Sequence, residues 1–214
     1  MDQRHRVNNL ESILSSPEKH PDHEVDVVLK HDDIIPFVHN YLRKRNPVIL
    51  GYWIINLFLF VASVLSLMTS GERLPRLGFL LIGFVGFLLL IPLHELIHGI
   101  GYSLAGATKV TYRAIWRKFV FYAMADRFYT TKKSFALLAI APFLLINSLL
   151  MLFVFATPES QLTWVAVGAL IMHTAGCAGD FALLSYLFEN WKLDPVICDD
   201  VENGQTWFYL KRAV

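Results

Sequence analysis

Four runs of apolar residues set the terms on which this chain can fold. They cover roughly Val48–Met68, Leu77–Leu104, Phe135–Ala156 and Leu162–Phe188. A helix needs about 20 mostly apolar residues to cross the hydrocarbon of a bilayer, and each run meets that length. A soluble core seldom calls for four runs so long. Charged residues collect outside them, at the two ends and in one central segment, and they nearly cancel: the net charge over 214 residues is +1. Such a balance offers no global field for nucleic acid. The expected architecture is an all-α membrane bundle of four transmembrane helices, with small cytoplasmic N-terminal, central and C-terminal appendages that contain β-structure.

On this reading residues 1–46 are a cytoplasmic N-terminal region, 47–188 the four-span core and 189–214 a cytoplasmic C-terminal hairpin. The polar first 46 residues contain no cleavable signal segment, so the first apolar run is expected to direct insertion. Lys and Arg set the orientation. Arg43, Lys44 and Arg45 precede the first run, and the segment between the second and third carries Lys109, Arg113, Arg117, Lys118, Arg127, Lys132 and Lys133. The loop Thr157–Gln161 has no basic residue, and the first loop holds only Arg73 and Arg76. Both termini and the central segment are therefore expected on the cytoplasmic side of a multi-pass membrane protein. His23–Lys30 reads as a strand and Asp32–Arg45 as a helix interrupted by Pro36. Val196–Val201 and Gln205–Leu210 flank Asn203-Gly204, a pair suited to a tight hairpin turn. The two cysteines, Cys177 and Cys198, form neither a disulfide framework nor a CxxC pattern.

Only five Asp, Glu, Lys, Arg or His residues lie inside the apolar runs: His94, Glu95, His98, His173 and Asp180. An ionisable side chain at the centre of a membrane helix costs at least about 2.5–3.5 kcal/mol, and is retained when paired, hydrated or bound to a metal. Three of the five form His94-Glu95-Leu96-Ile97-His98, an HExxH pattern. On a helix the two histidines lie one turn apart on one face, where both imidazoles can bind one Zn²⁺. Glu95, on the flank of that face, is placed to take a proton from water activated by the ion. HExxH alone arises by chance in unrelated proteins. In an apolar helix it is far rarer, and the burial cost weighs against the plain alternative of satisfied core histidines with a paired glutamate.

A hydrolytic zinc usually has three protein ligands and one open position. At about 1.5 Å per residue, His94 and His98 lie ~15 and ~9 Å from the cytoplasmic end of the second span, and Asp180 lies ~12 Å from that side in the fourth. Asp180 is accordingly the expected third ligand. His173, at ~22 Å, is reckoned too deep to join the metal. Its candidate roles are a partner behind the ligands, a donor to substrate, or an ordinary interhelical hydrogen bond. Asn147 in the third span is a candidate substrate-binding donor, with a helix–helix hydrogen bond as the favoured alternative. Cys177 is expected to be a small, inert, buried thiol. Gly176 and Gly179 would let the fourth span approach the second, and Pro92 and Pro142 would loosen the backbone where a peptide cleft needs room. In the central segment, Lys109–Trp116 alternates in polarity and Phe119–Met124 is a matching second strand. An exposed edge there could bind an unwound substrate by strand addition; an amphipathic loop on anionic lipid fits the basic residues equally well.

With Pro92–Gly99, Ala141-Pro142-Phe143 and Gly179-Asp180 in view, the chain from about Leu77 to the C-terminal hairpin resembles the membrane zincin peptidases, zinc metallopeptidases catalogued as a domain of unknown function. More distantly it is similar to the site-2 intramembrane proteases. The resemblance implies His94, His98 and Asp180 as zinc ligands and Glu95 as catalytic base. It departs from site-2 proteases in that Asp180 is followed by Phe181, with the glycine before it. The leading expectation is a zinc-dependent intramembrane metalloprotease that hydrolyses peptide bonds near the cytoplasmic membrane face. Its partners would be the lipid bilayer and a membrane protein or peptide substrate, with no nucleic acid. The alternatives are a non-catalytic membrane zinc-binding protein, sensor or carrier, and a hydrolase of lipids or other amphiphiles.

Overall fold

The computed structural model describes residues 22–212 apart from 70, 119 and 159; the first 21 residues of the expected N-terminal region lie outside it. Its elements run β1 (His23–Lys30), α1 (Ile34–Leu42), α2 (Pro47–Thr69), α3 (Arg73–Gly86), α4 (Ile91–Leu104), β2 (Val110–Ile115), β3 (Val120–Ala125), β4 (Tyr129–Thr131), α5 (Lys132–Ala156), α6 (Gln161–Gly176), α7 (Ala178–Asn190), β5 (Val196–Asp200) and β6 (Gln205–Lys211).

Local chemistry explains where the helices begin. The Asn46 side chain accepts from the Ile49 N–H at 3.1 Å while Pro47, which has no N–H to satisfy, occupies the first turn of α2. Asn46 Nδ2 also donates to Ser185 Oγ at 2.7 Å, fixing the start of α2 against α7. Ser160 caps α6 by accepting from the Leu162 N–H. Pro92 cannot donate back to the preceding turn, and the second apolar run passes through a 3-10 turn, Phe87–Leu90, before α4 begins. Pro36 falls in the first turn of α1, where a proline is tolerated, and so does not interrupt the helix as expected.

Three stretches are long and apolar enough to cross a membrane: Pro47–Thr69, Arg73–Leu104 and Lys132–Ala156. The fourth run, expected as one helix, is two: α6 and α7 meet at Cys177 with a bend of 41°. The break leaves the Ala175 carbonyl short of a helical donor, and Tyr52 Oη of α2 donates to it at 2.8 Å. Large apolar side chains point outward along α2 and α5, among them Leu57, Phe58, Leu149 and Leu152, each more than 60% exposed. A soluble protein would bury such a surface. Helices α3 and α6 approach closely because each offers a glycine: a Cβ on Gly83 would lie 2.0 Å from the Val165 carbonyl oxygen, and one on Gly168 2.1 Å from that of Leu80.

The appendages read separately from sequence are one structure. A four-stranded antiparallel sheet has the order β1-β6-β5-β4, so the N-terminal strand completes the C-terminal hairpin and the central segment supplies the last strand. The hairpin loop holds four residues, Val201–Gly204, rather than the tight pair expected. Asp200 accepts from the Asn203 backbone and side-chain N–H groups, and Gly204 takes the positive φ of 62° that closes the loop. Leu29, Phe135, Tyr186, Leu187, Ile197 and Phe208 form the core that seats this sheet on the ends of α5 and α7. β2 and β3 form a separate antiparallel ribbon in register Val110↔Ala125 to Ile115↔Val120. It packs against α4 because Gly99 has no side chain: a Cβ there would strike Tyr112 Oη at 1.9 Å.

Candidate metal centre

Helix α4 presents His94 and His98 one turn apart, and the first turn of α7 presents Asp180 to both. His94 Nε2 lies 3.1 Å from His98 Nε2 and 3.2 Å from Asp180 Oδ2, and His98 Nε2 lies 3.2 Å from Asp180 Oδ1. The bend at Cys177 makes this possible, since it sets the start of α7 against the middle of α4. Asp180 is 9% exposed.

These residues fit a zinc ion. Donors bound to zinc at about 2.0–2.1 Å in a tetrahedron lie about 3.3–3.4 Å apart, close to the three separations observed. His98 Nδ1 is 3.0 Å from the Leu138 carbonyl oxygen, which can only accept. Nδ1 therefore carries the ring's hydrogen, and in the neutral ring Nε2 is a lone pair. A lone pair facing a carboxylate at 3.2 Å is repulsive unless a proton or a metal ion lies between them. Glu95 adds a second sign: its Oε2 is buried with no hydrogen-bond partner among the described residues. The same carboxylate accepts from the Ala123 backbone N–H, so the HExxH glutamate is held against β3.

The cluster forms part of the lining of a cavity of about 390 Å³. Its lining includes β3, from Val120 to Ala123, and α1, through Ile34, Phe37 and Val38. Ala123 and Ala125 both direct their N–H groups away from β2, to Glu95 and to Asp199. Phe121 shares their orientation by the alternation of a strand, so its backbone faces the same edge.

His173 overturns the depth reckoning. Its Nε2 lies 3.2 Å from His94 Nδ1, not two turns away. That reckoning takes the fourth run as a straight rod parallel to the second, whereas α6 tilts away from α7 at Cys177 and carries His173 back over His94. Asn147 is spent within the protein: it donates to Thr174 Oγ1 at 2.9 Å and its Oδ1 lies 2.7 Å from His173 Nδ1. Cys177 is 1% exposed, and with His94 and His173 it forms a second group of converging donors. The Leu138 carbonyl and the Ala123 N–H have no sequence signal, because backbone groups carry none.

Residues 87–192 match the model of a family described as "Putative zincin peptidase". This stretch is similar to that family. The matched segment starts at the 3-10 turn before α4 and ends beyond α7, so it contains HExxH, the β2–β3 ribbon and Asp180. It begins later than the expected Leu77 and ends before β5. Neither the curated proteins nor the solved structures provide a match to the chain. The description of that family implies zinc, in keeping with the donor set.

Proposed function

We propose that this protein is a zinc-dependent intramembrane metalloprotease, working in the manner of site-2 proteases on peptide bonds near the cytoplasmic face. The observation that carries the reading is the meeting of His94, His98 and Asp180 donors at 3.1–3.2 Å beside a glutamate with a buried oxygen that has no partner among the described residues. His94, His98 and Asp180 would hold the ion. When bound, zinc supplies Lewis acidity for a scissile carbonyl and for water. Glu95 takes the proton of the attacking water and returns it to the leaving amine nitrogen. Substrate lies extended along the β3 edge, where the Phe121 backbone can pair with it, and its apolar side chains enter the cavity toward Phe37 and Leu183. The outward apolar faces of α2 and α5 support insertion in a bilayer, with β1, the β2–β3 ribbon and the hairpin β5–β6 on the cytoplasmic side. Residues 1–46 and 189–214 are cytoplasmic flanks of the four-span core in this reading.

The test is Glu95→Gln in the full-length protein reconstituted into lipid vesicles with single-span membrane peptides. Zinc content should match wild type, and cleavage should fall by about 10²–10⁴-fold, the usual worth of general acid–base catalysis. Wild-type cleavage by this variant would refute the mechanism. His94→Ala and Asp180→Ala should each lose zinc.

A zinc sensor or carrier has one observation in its favour, the second donor group of His94, His173 and Cys177. Zinc flux into vesicles that His173→Ala abolishes would support it. The dedicated glutamate at Glu95 has no part in such transport, so the protease reading stands ahead.

A further inference from the structure

Behind His94 runs a chain of hydrogen bonds whose direction is set at its far end. Thr174 has one hydroxyl hydrogen, and its Oγ1 lies 2.7 Å from the Leu170 carbonyl oxygen, which can only accept. Thr174 Oγ1 must therefore accept from Asn147 Nδ2, at 2.9 Å. That contact fixes the amide with Oδ1 toward His173. Asn147 Oδ1 is an acceptor 2.7 Å from His173 Nδ1, so Nδ1 holds the hydrogen of that ring. His173 Nε2 is then a lone pair. It lies 3.2 Å from His94 Nδ1, which has to be the donor between them. In the neutral ring His94 Nε2 is left as a lone pair facing His98 and Asp180. The chain is dry: Thr174 is 0%, His173 4% and Asn147 9% exposed.

We infer that His173, Asn147 and Thr174 are positioning residues that fix the Nδ1–H tautomer of His94 and so present Nε2 to the metal. Their importance lies in the state they prevent. His94 Nε2 is 3.2 Å from Asp180 Oδ2, a distance at which an Nε2–H tautomer would donate to the carboxylate. Two ligands would then be consumed in a hydrogen bond with each other. His98 is protected from the same trap by the Leu138 carbonyl on its Nδ1; His94 has no backbone carbonyl among its described Nδ1 partners and relies on His173. In this arrangement His173 is an acceptor from His94 and not a ligand. The inference rests on the zinc site proposed above.

The experiment uses purified full-length protein with His173→Leu, His173→Gln, Asn147→Leu and Cys177→Ala. Zinc affinity is measured by competition with a chromophoric chelator. The tautomer is read from the ¹⁵N shifts of the His94 ring in zinc-free, histidine-labelled protein. His173→Leu and Asn147→Leu should bind zinc about 10–100-fold more weakly, the usual effect of losing an outer partner of a metal-ligating histidine. Both should move the hydrogen of His94 from Nδ1 to Nε2. His173→Gln, whose amide can accept from His94 and donate to Asn147, should recover the affinity and the tautomer; a merely space-filling role would not distinguish Gln from Leu in this way. Wild-type affinity in His173→Leu, or an Nε2–H tautomer in the wild-type protein, would overturn the inference. So would a loss of affinity in Cys177→Ala, which would place the ion on the His173 side of His94. A wild-type protein that binds no zinc would instead refute the metal site, while its nitrogen spectrum would still decide the tautomer.

Discussion

Pro142 and Leu138 stand one turn apart in α5, and the carbonyl that the proline leaves without its helical donor is the one that accepts from His98 Nδ1, at 3.0 Å. A proline inside a helix removes one hydrogen bond and costs about 3 kcal/mol. Here the freed carbonyl is turned to use, because it orients a metal ligand on a neighbouring helix. Pro142→Ala restores a competing N–H to Leu138. Zinc affinity is expected to fall about tenfold, the lower end of what loss of such an outer partner costs, while the thermal midpoint stays level or rises. Chelator competition and thermal unfolding in detergent check the pair. An unchanged affinity would separate the proline from the site.

The close approach of α3 and α6 yields a prediction about stability alone. A side chain at Gly168 would meet the backbone of Leu80, which cannot rotate out of the way. Gly168→Val is expected to destabilise by about 3 kcal/mol, the upper range for overpacking a core. Gly78, on α3, is the control, since a Cβ added there would find nothing within 4 Å. Gly78→Val should leave stability within about 0.5 kcal/mol of wild type. Equal losses in the two variants would mean that general helix propensity, and not the α3–α6 contact, sets the cost.

What can be read from the sequence is what local spacing encodes. His94 and His98 have to share a face because four residues make about one helical turn. The strand His23–Lys30 and the β2–β3 ribbon follow from alternation. Less is legible where distant segments meet. Nothing near Cys177 announces a break in an apolar run, since the carbonyl freed there is satisfied by Tyr52, 123 residues away; the depth expected for His173 fails for that reason. The pairing of β1 with β6 joins the two ends of the chain through backbone groups, which carry no side-chain signature. Glu95 is legible as a base, but its hold on the Ala123 N–H is not, for the same reason.

Tyr112 and Gly99 give a coupling that a double-mutant cycle can measure. The clash awaiting a Cβ at Gly99 is with the tip of the Tyr112 ring, and that side chain is half exposed and free to swing outward. Gly99→Ala should therefore lift the ribbon from α4 at a cost of about 1 kcal/mol. Adding Tyr112→Ala should recover at least about 0.5 kcal/mol of it, the scale of coupling between residues in contact. Strictly additive effects in thermal unfolding would show that the ribbon does not seat on α4 through this pair.

Asp199 makes stability depend on pH in a direction opposite to that of a salt-bridged carboxylate. It is 5% exposed and ties three elements together: Oδ2 accepts from the Ala125 N–H at 3.2 Å and from Tyr102 Oη at 3.5 Å, and Oδ1 accepts from Thr206 Oγ1 at 2.8 Å. Burial outweighs these bonds and raises its carboxyl from the ordinary 3.8 to about 6. Between those values the folded protein keeps a proton that the unfolded chain has released. The contribution of Asp199 is therefore complete below pH of about 4 and is lost as pH rises through about 6. Asp199→Asn stays neutral throughout and can still accept from Ala125. Its advantage over wild type should grow across that window and level off above it at about 3 kcal/mol, the scale set by a shift of this size. Thermal midpoints of both proteins from acid to mildly alkaline pH decide the matter, and curves that run parallel would place the charge of Asp199 elsewhere than in the balance of folding.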